Sequence, residues 1–513
     1  MLAEHKTKVL GLMYRLLVMA SIVLAAMSLL YVWFVLERGF VPLGLLAVVE
    51  ILAIWRLVRR AGHVVNGAPD VSIWKIAVDT YRGHLRGMAM DLYLRYCIPD
   101  KKSADEQEIH LTASRQSSIL WTIAVFIIAF ILAVTHRPDA ITNPQPWAED
   151  GTIFIADAYN IGLRCVFHPY AGYLVVFQRI VALIATNISL AQTPLILNCV
   201  ALCVQAGICT FVGMSDRLAD QFSSRASQLT IAALVIAFPY APEIHGHITN
   251  SQWFFPILGV AIIFAKPAST ALREILDYII IAVIALTGPF SIMLAPISLL
   301  KARGGRRHMI FAALICAGAV LQYVTLRTQH RAVSAFSVKS AIGFLGGRVG
   351  ILPVFGPGQY LPPGISFVSV VAAILVIMIY LWGLKNGGPF LKGMMYLGAA
   401  LFVTTMLTCN GIVTSNPHLL MWWMGSRYFF LSAIAMLMSL SYMAFTKCSW
   451  RILAVPLFCL AIWGIHANWR YQPLPDYHYR QQVAKLNTLA PGRFLDIPIC
   501  PMGWQMRLYK PVR

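Results

Sequence analysis

Apolar runs of membrane-spanning length alternate with short basic turns along most of this chain. A helix needs about 20 mainly apolar residues to cross the hydrocarbon core. Runs of that kind predict spans at 10–35, 41–57, 117–135, 190–214, 228–240, 252–266, 308–326, 366–384, 393–409, 428–446 and 452–469. Residues 275–287 and 289–300 read as a helical pair broken at Gly288-Pro289, since proline cannot donate inside a helix. The total is about 13 spans. The runs are continuous rather than alternating, which excludes a barrel. The expected fold class is therefore an all-α, polytopic transmembrane helical bundle.

Basic residues orient the spans, because Lys and Arg concentrate on the cytoplasmic side. Lys6, Lys8 and Arg15 place the N-terminus inside, and no small-residue cleavage site follows the first run, so it reads as a retained span. Arg217 with Arg225, Lys266 with Arg273, Lys301 to Arg307, Lys385 to Lys392 and Lys447 to Arg451 mark further cytoplasmic turns. Four divisions follow: a two-span hairpin at 1–60, a cytoplasmic basic loop at 61–116, a transmembrane core at 117–469 and a tail at 470–513. Within the basic loop, 72–97 has the period of an amphipathic helix lying on the inner surface. Residues 136–189, the loop after 240, the Gly/Pro-rich stretch 327–364 and the tail fall outside. The tail's seven Lys and Arg against two acids pull the other way, but the alternation of spans sets it outside. In the first outer loop, 152–162 and 173–187 read as interfacial helices, and Trp147, Tyr159, Tyr170 and Tyr173 suit an aromatic belt.

Composition agrees with this layout. The chain is 58% hydrophobic and 12% charged, with mean hydropathy +0.69, which no soluble fold sustains. The net charge of +20 is what basic cytoplasmic turns produce, and its scatter among apolar runs argues against a nucleic-acid partner. The ten cysteines lie mostly inside apolar runs without metal-ligand spacing, so no metal site is expected from them. Cys165 and Cys500 share the outer side, a topology that allows a disulfide.

Acidic residues narrow the search for chemistry. None lies between Asp277 and Asp476, so the outer face holds only Asp139, Glu149, Asp150, Asp157, Glu243, Asp476 and Asp496. A carboxylate base on that face must come from this set. Asp150 in P-W-A-E-D-G is the leading candidate, with Glu149 beside it; the competing reading is a helix N-cap. Asp157, seven residues on, shares its helix face, and Arg164 could pair with it across two turns. Glu50 sits inside a predicted span and is either functional or paired. His168 and Tyr170 in H-P-Y-A-G-Y, and His245, His247, Asn250, Gln252 and Trp253 in the second outer loop, are polar or stacking groups suited to a sugar. Arg427, Arg348 and Arg331 offer bidentate forks for phosphate, with snorkelling at an interface as the plain alternative.

Together these features resemble the GT-C superfamily of membrane glycosyltransferases: a long bundle, the acidic P-W-A-E-D-G in the first outer loop, H-P-Y-A-G-Y, and an Arg at a late helix start in R-Y-F-F. The architectural likeness covers roughly 117–470, and the motif likeness extends to I-P-I-C-P-M-G-W in the tail. The resemblance implies a polyprenyl-phosphate-linked sugar donor, a cell-envelope glycan or lipid acceptor, and a place in a bacterial inner membrane among its lipids. It makes the first-loop acid, Asp150 with Glu149 beside it, the general base or a binder of the acceptor or a metal, and it gives Arg427 the phosphate, with Arg348 and Arg331 adding charge. No cofactor is implied with certainty, and a divalent cation is compatible with the acidic motif. Two extra N-terminal spans and the lack of a large soluble C-terminal domain depart from the best-known members. The rival readings are a transporter or flippase of lipid-linked sugars, and an assembly factor docking through the basic loop.

Overall fold

The computed structural model describes residues 104–239, 242–327, 337–356, 366–408 and 425–512, with side chains from Ile119 onward. The predicted spans at 10–35 and 41–57, Glu50, the amphipathic 72–97 and Arg331 lie outside the described residues. The chain divides into two compact units, Met1–Leu111 and Thr112–Arg513, and the bundle and its site belong to the second.

The second unit is mostly helical. Among the described residues, seven helices are long and apolar enough to cross a membrane: 119–136, 190–214, 306–327, 338–355, 367–386, 389–408 and 427–445. Other predicted spans fold as shorter apolar helices, including Arg225–Ala237, Phe290–Ala302 and Arg451–Ala467. The break at Gly288-Pro289 separates Ala271–Ala285 from Phe290–Ala302, and Gly288 adopts φ +78, a region glycine enters without strain.

Helix α1 (Arg427–Phe445) is the hub. Its window is 83% buried, against 28% for the peripheral Arg306–Arg327. A helix buried on all sides of a lipid-solvated bundle packs by close approach and by hydrogen bonds rather than by exclusion of water. Ser432 Oγ donates to Gly398 O at 2.7 Å, Ser439 Oγ to Ile379 O at 3.0 Å, and Tyr380 OH to Ser432 O at 2.6 Å.

Two expectations are corrected. The Gly/Pro-rich stretch expected as loop within 327–364 folds, where described, into Val338–Phe344, a π-helical Leu345–Ile351 and Leu352–Phe355. Its glycines serve helix packing. A Cβ on Gly346 would overlap the Ser369 carbonyl, and one on Gly350 would meet Val376 and Ala372 of the neighbouring helix. The fold is also not wholly α. Strands β1 (Phe494–Ile499) and β2 (Trp504–Tyr509) pair antiparallel in the tail. Ile497, Ile499, Met506 and Leu508 are fully buried while Phe494 and Trp504 are exposed, the alternation a half-buried hairpin requires.

The turns gather at two ends of the bundle. The predicted cytoplasmic turns meet at one end, where Lys266, Lys301 and Gly388 border one cavity. The predicted outer segments meet at the other, through Asp150–Thr249, Glu243–Gly425 and Trp147–Cys500 contacts.

Candidate active site

The acidic motif stands on a turn that the tail braces. Trp147 bridges Cys500 in parallel register, the Ala148 N–H donates to Cys500 O, and Cys500 N donates to Pro146 O at 3.3 Å. Ala148 takes φ +37, a strained value for a residue with a Cβ. Ile499 packs over Gly151, where a Cβ would collide with it. Farther back, Leu474 N donates to Asp139 Oδ2 at 3.1 Å and Gln145 Nε2 to Asp476 Oδ1 at 3.1 Å. Cys165 and Cys500 are buried free thiols, and Cys500 Sγ donates to Pro475 O, so the disulfide the topology allowed is not formed.

The chain then enters a π-helical segment, Asp150–Ile155, with Glu149 at its N-cap, and the two adjacent carboxylates find different partners. Asp150 turns inward. It is 2% exposed and accepts from Thr249 N at 2.8 Å and from Thr249 Oγ1. It does not cap its own helix, so the N-cap reading is corrected: the backbone it serves is that of Thr249, far along the chain. Burial raises its pKa to about 6, against the Thr249 hydrogen bonds and the Arg137 charge, which lower it. His247 Nδ1 stands 3.7 Å from Asp150 Oδ2, but burial and Arg137 hold that imidazole well below its ordinary pKa, so it is neutral. Arg137 bonds His247 Nε2, His245 O at 3.5 Å and Asp139 Oδ2 at 3.0 Å. His245 Nδ1 faces the acceptor Gln205 Oε1 at 3.2 Å, and burial depresses its pKa as well. These groups form a closed polar joint between the segment around Asp150 and the segment around Thr249.

Glu149 turns the other way. Its Oε1 accepts from Tyr170 OH at 2.8 Å, and its buried Oε2 has no partner among the described residues. Burial and the Glu149 charge raise the Tyr170 pKa, so the phenol stays a donor. Glu243 repeats the pattern from the second loop: Oε1 accepts from Gly425 N at 3.0 Å and the buried Oε2 has no described partner. The Arg427 guanidinium, at the head of α1, lies in the field of both carboxylates and of Tyr428. Arg348, over the Phe429 ring at 6.0 Å, interacts electrostatically with Glu243. Trp253 meets the Tyr428 ring edge-on at 5.7 Å, and its Nε1 and the neighbouring Ser426 Oγ are buried without described partners. Glu149 and Glu243 thus share the field of Arg427, with Arg348 beside Glu243, and keep open hydrogen-bonding capacity that buried groups rarely keep.

No family model matches the chain, and no curated protein sequence does. Among solved structures it is similar to the Archaeoglobus fulgidus oligosaccharyltransferase tethered to an acceptor peptide containing the NVT sequon. The two share 12% identity with a TM-score of 0.39, over 72% of this chain and 57% of that one. The chain therefore spans little more than half the length of that neighbour.

The remaining expected residues sort around the cluster. Asp157 pairs with the buried Arg179 at 2.5 Å and with His168 at 3.3 Å, and no Arg164 pair forms among the described residues. The reason is that Gly162 (φ +57) ends the helix before Arg164, so the assumed continuous face does not exist. His168 is exposed at the rim. His245 and His247 are fully buried in the joint and so do not line an accessible loop as expected. Asn250 Nδ2 donates to Glu243 O at 2.6 Å, and Gln252 keeps a buried Oε1 without a described partner. Glu243, Tyr428 and Ser426 were not singled out from the sequence, although Glu243 belongs to the short set of outer acids.

Proposed function

We propose that this protein is a membrane glycosyltransferase that moves a sugar from a polyprenyl-phosphate donor to a cell-envelope glycan or lipid on the outer face of a bacterial inner membrane. The observation that carries the reading is the Glu149–Glu243–Arg427 cluster, with one open oxygen on each carboxylate. The acceptor hydroxyl gives its proton to the open Oε2 of Glu149, and the hydroxyl oxygen bonds the anomeric carbon. The anomeric carbon–oxygen bond to the lipid phosphate breaks, and its electron pair leaves on the phosphate. An anionic leaving group needs cationic stabilisation more than a proton, which Arg427 supplies with Arg348 beside it. Glu243 orients the acceptor and Trp253 offers a stacking face. Asp150 acts through position: by holding Thr249 it fixes the loop that carries Glu243. His168, Tyr170, Asn250 and Gln252 complete the polar rim, and Asp157 locks it through Arg179.

Reconstitution in proteoliposomes with radiolabelled polyprenyl-phosphate sugars and envelope acceptors tests the reading. Transfer by the wild type and its loss in Glu149→Gln are expected. A wild type inert toward every lipid-linked sugar while flipping those lipids would favour a flippase and sink the proposal.

A further inference from the structure

We propose that the opposite end of the bundle carries a second binding site, for a phosphate-bearing anion. A cavity of about 420 Å³ lies there, between the turns at Asp220, Lys266 and Gly388 and the end of the helix that carries Lys301. Tyr442 lines it, fifteen residues beyond Arg427 on α1, which sets the two sites about 22 Å apart along the axis at 1.5 Å per residue. The cavity is independent of the proposed transfer chemistry.

Its charge is unbalanced. Lys266 Nζ reaches Asp220 Oδ2 at 3.4 Å, but the two side chains are 60% and 56% exposed, so water competes for both. Lys301 has no ion-pair partner among the described residues, and its ammonium lies 5.1 Å over the Phe264 ring. The nearby acids are already committed: Glu274 to Arg307 at 3.0 Å, and Asp277 to both Arg217 and Arg307. The N-terminus of the helix Pro389–Thr408 borders the cavity and adds positive field, although its Phe390 N–H is given to Gln221 Oε1. His308 supplies a further ring nitrogen.

Two lysines facing one exposed carboxylate suit a compact anion, since ammonium groups bind phosphate as point charges. The same helix exposes Leu299 (56%) and Leu300 (82%) immediately before Lys301. That juxtaposition of an apolar flank and a cationic cavity matches a lipid headgroup with its chains along the helix; a free phosphate would use the cavity alone.

Protein purified in neutral detergent, followed by native mass spectrometry and thermal unfolding, tests the site. Three additions are compared: phosphatidylglycerol, phosphatidylcholine and inorganic phosphate. The wild type is expected to retain phosphatidylglycerol over phosphatidylcholine, and Lys301→Gln to weaken that binding about 10–100-fold, the loss of one charge-assisted hydrogen bond. Lys301→Arg, which keeps the charge, is expected to restore it and to show that Lys301→Gln did not fail by misfolding. Protection by phosphatidylglycerol alone assigns a lipid headgroup, and equal protection by inorganic phosphate assigns the phosphate group itself. Binding that neither distinguishes the lipids nor responds to Lys301→Gln overturns the proposal.

Discussion

Asp150→Asn separates the joint from the chemistry, and its signature is a pH dependence. The native carboxyl has a pKa of about 6 against an ordinary 3.8, because burial outweighs the Thr249 hydrogen bonds. At 1.36 kcal/mol per unit of pKa, the gap is worth about 3 kcal/mol. The folded protein holds the Asp150 proton more tightly than the unfolded chain, so ionisation favours unfolding. Below about pH 4 both states are protonated and the residue contributes nothing. Between about pH 4 and 6 the unfolded chain releases its proton first, and stability falls. Above about pH 6 the loss is complete and constant. Asparagine keeps the acceptor for Thr249 N and Oγ1 and presents an amide to the neutral His247, so the joint survives without the titration. Thermal unfolding of both proteins from pH 4 to 8, read by tryptophan fluorescence, should therefore diverge. The variant gains on the wild type as pH rises, by up to about 3 kcal/mol at pH 7. Other carboxylates titrate in both proteins and cancel in the difference. Parallel curves with a pH-independent offset would refute a buried carboxyl with a raised pKa.

The other outcomes follow from the same geometry. Glu149→Gln keeps an acceptor for Tyr170 OH but removes the proposed base, so transfer falls about 10²–10⁴-fold in a proteoliposome assay with little change in unfolding temperature. Arg427→Lys retains charge but loses the fork; kcat with a polyprenyl-phosphate donor should drop by at least about tenfold, and an unchanged rate would remove Arg427 from the phosphate. Gly346→Ala drives a methyl into the Ser369 carbonyl and should cost about 1–3 kcal/mol or more in thermal stability. Gly207→Ala, on a helix with open space at that position, should be neutral or stabilising by up to about 1 kcal/mol.

Most of the bundle was legible because its driving pattern is local. Continuous apolar runs between basic turns located the helices and sorted the turns to two ends, and Gly288-Pro289 marked a real break. The hairpin was missed, because the alternation of Ile497, Ile499, Met506 and Leu508 is short beside the spans. What misled was composition without partners. Gly346 and Gly350 read as loop residues because the helix they pack against, Phe367–Asn386, comes later in the chain. Asp157 found Arg179 rather than Arg164 because Gly162 ends the helix between Asp157 and Arg164.

The division of labour between Glu149 and Asp150 was the part beyond sequence reasoning. In a regular helix, neighbouring residues point about 100° apart, enough to send them to different surroundings but not to say which is buried. That choice depends on contacts made by distant segments. Thr249 draws Asp150 into the joint, Tyr170 draws Glu149 to the cluster, and Cys500 pins the strained turn that precedes both. Each partner lies at least twenty residues away in sequence. The proposed roles follow from the outcome. A buried carboxyl whose Oδ1 takes two hydrogen bonds from Thr249 and whose pKa is held near 6 suits a joint. A carboxylate with one oriented oxygen and one open oxygen, in the field of a guanidinium, suits proton transfer from an incoming hydroxyl.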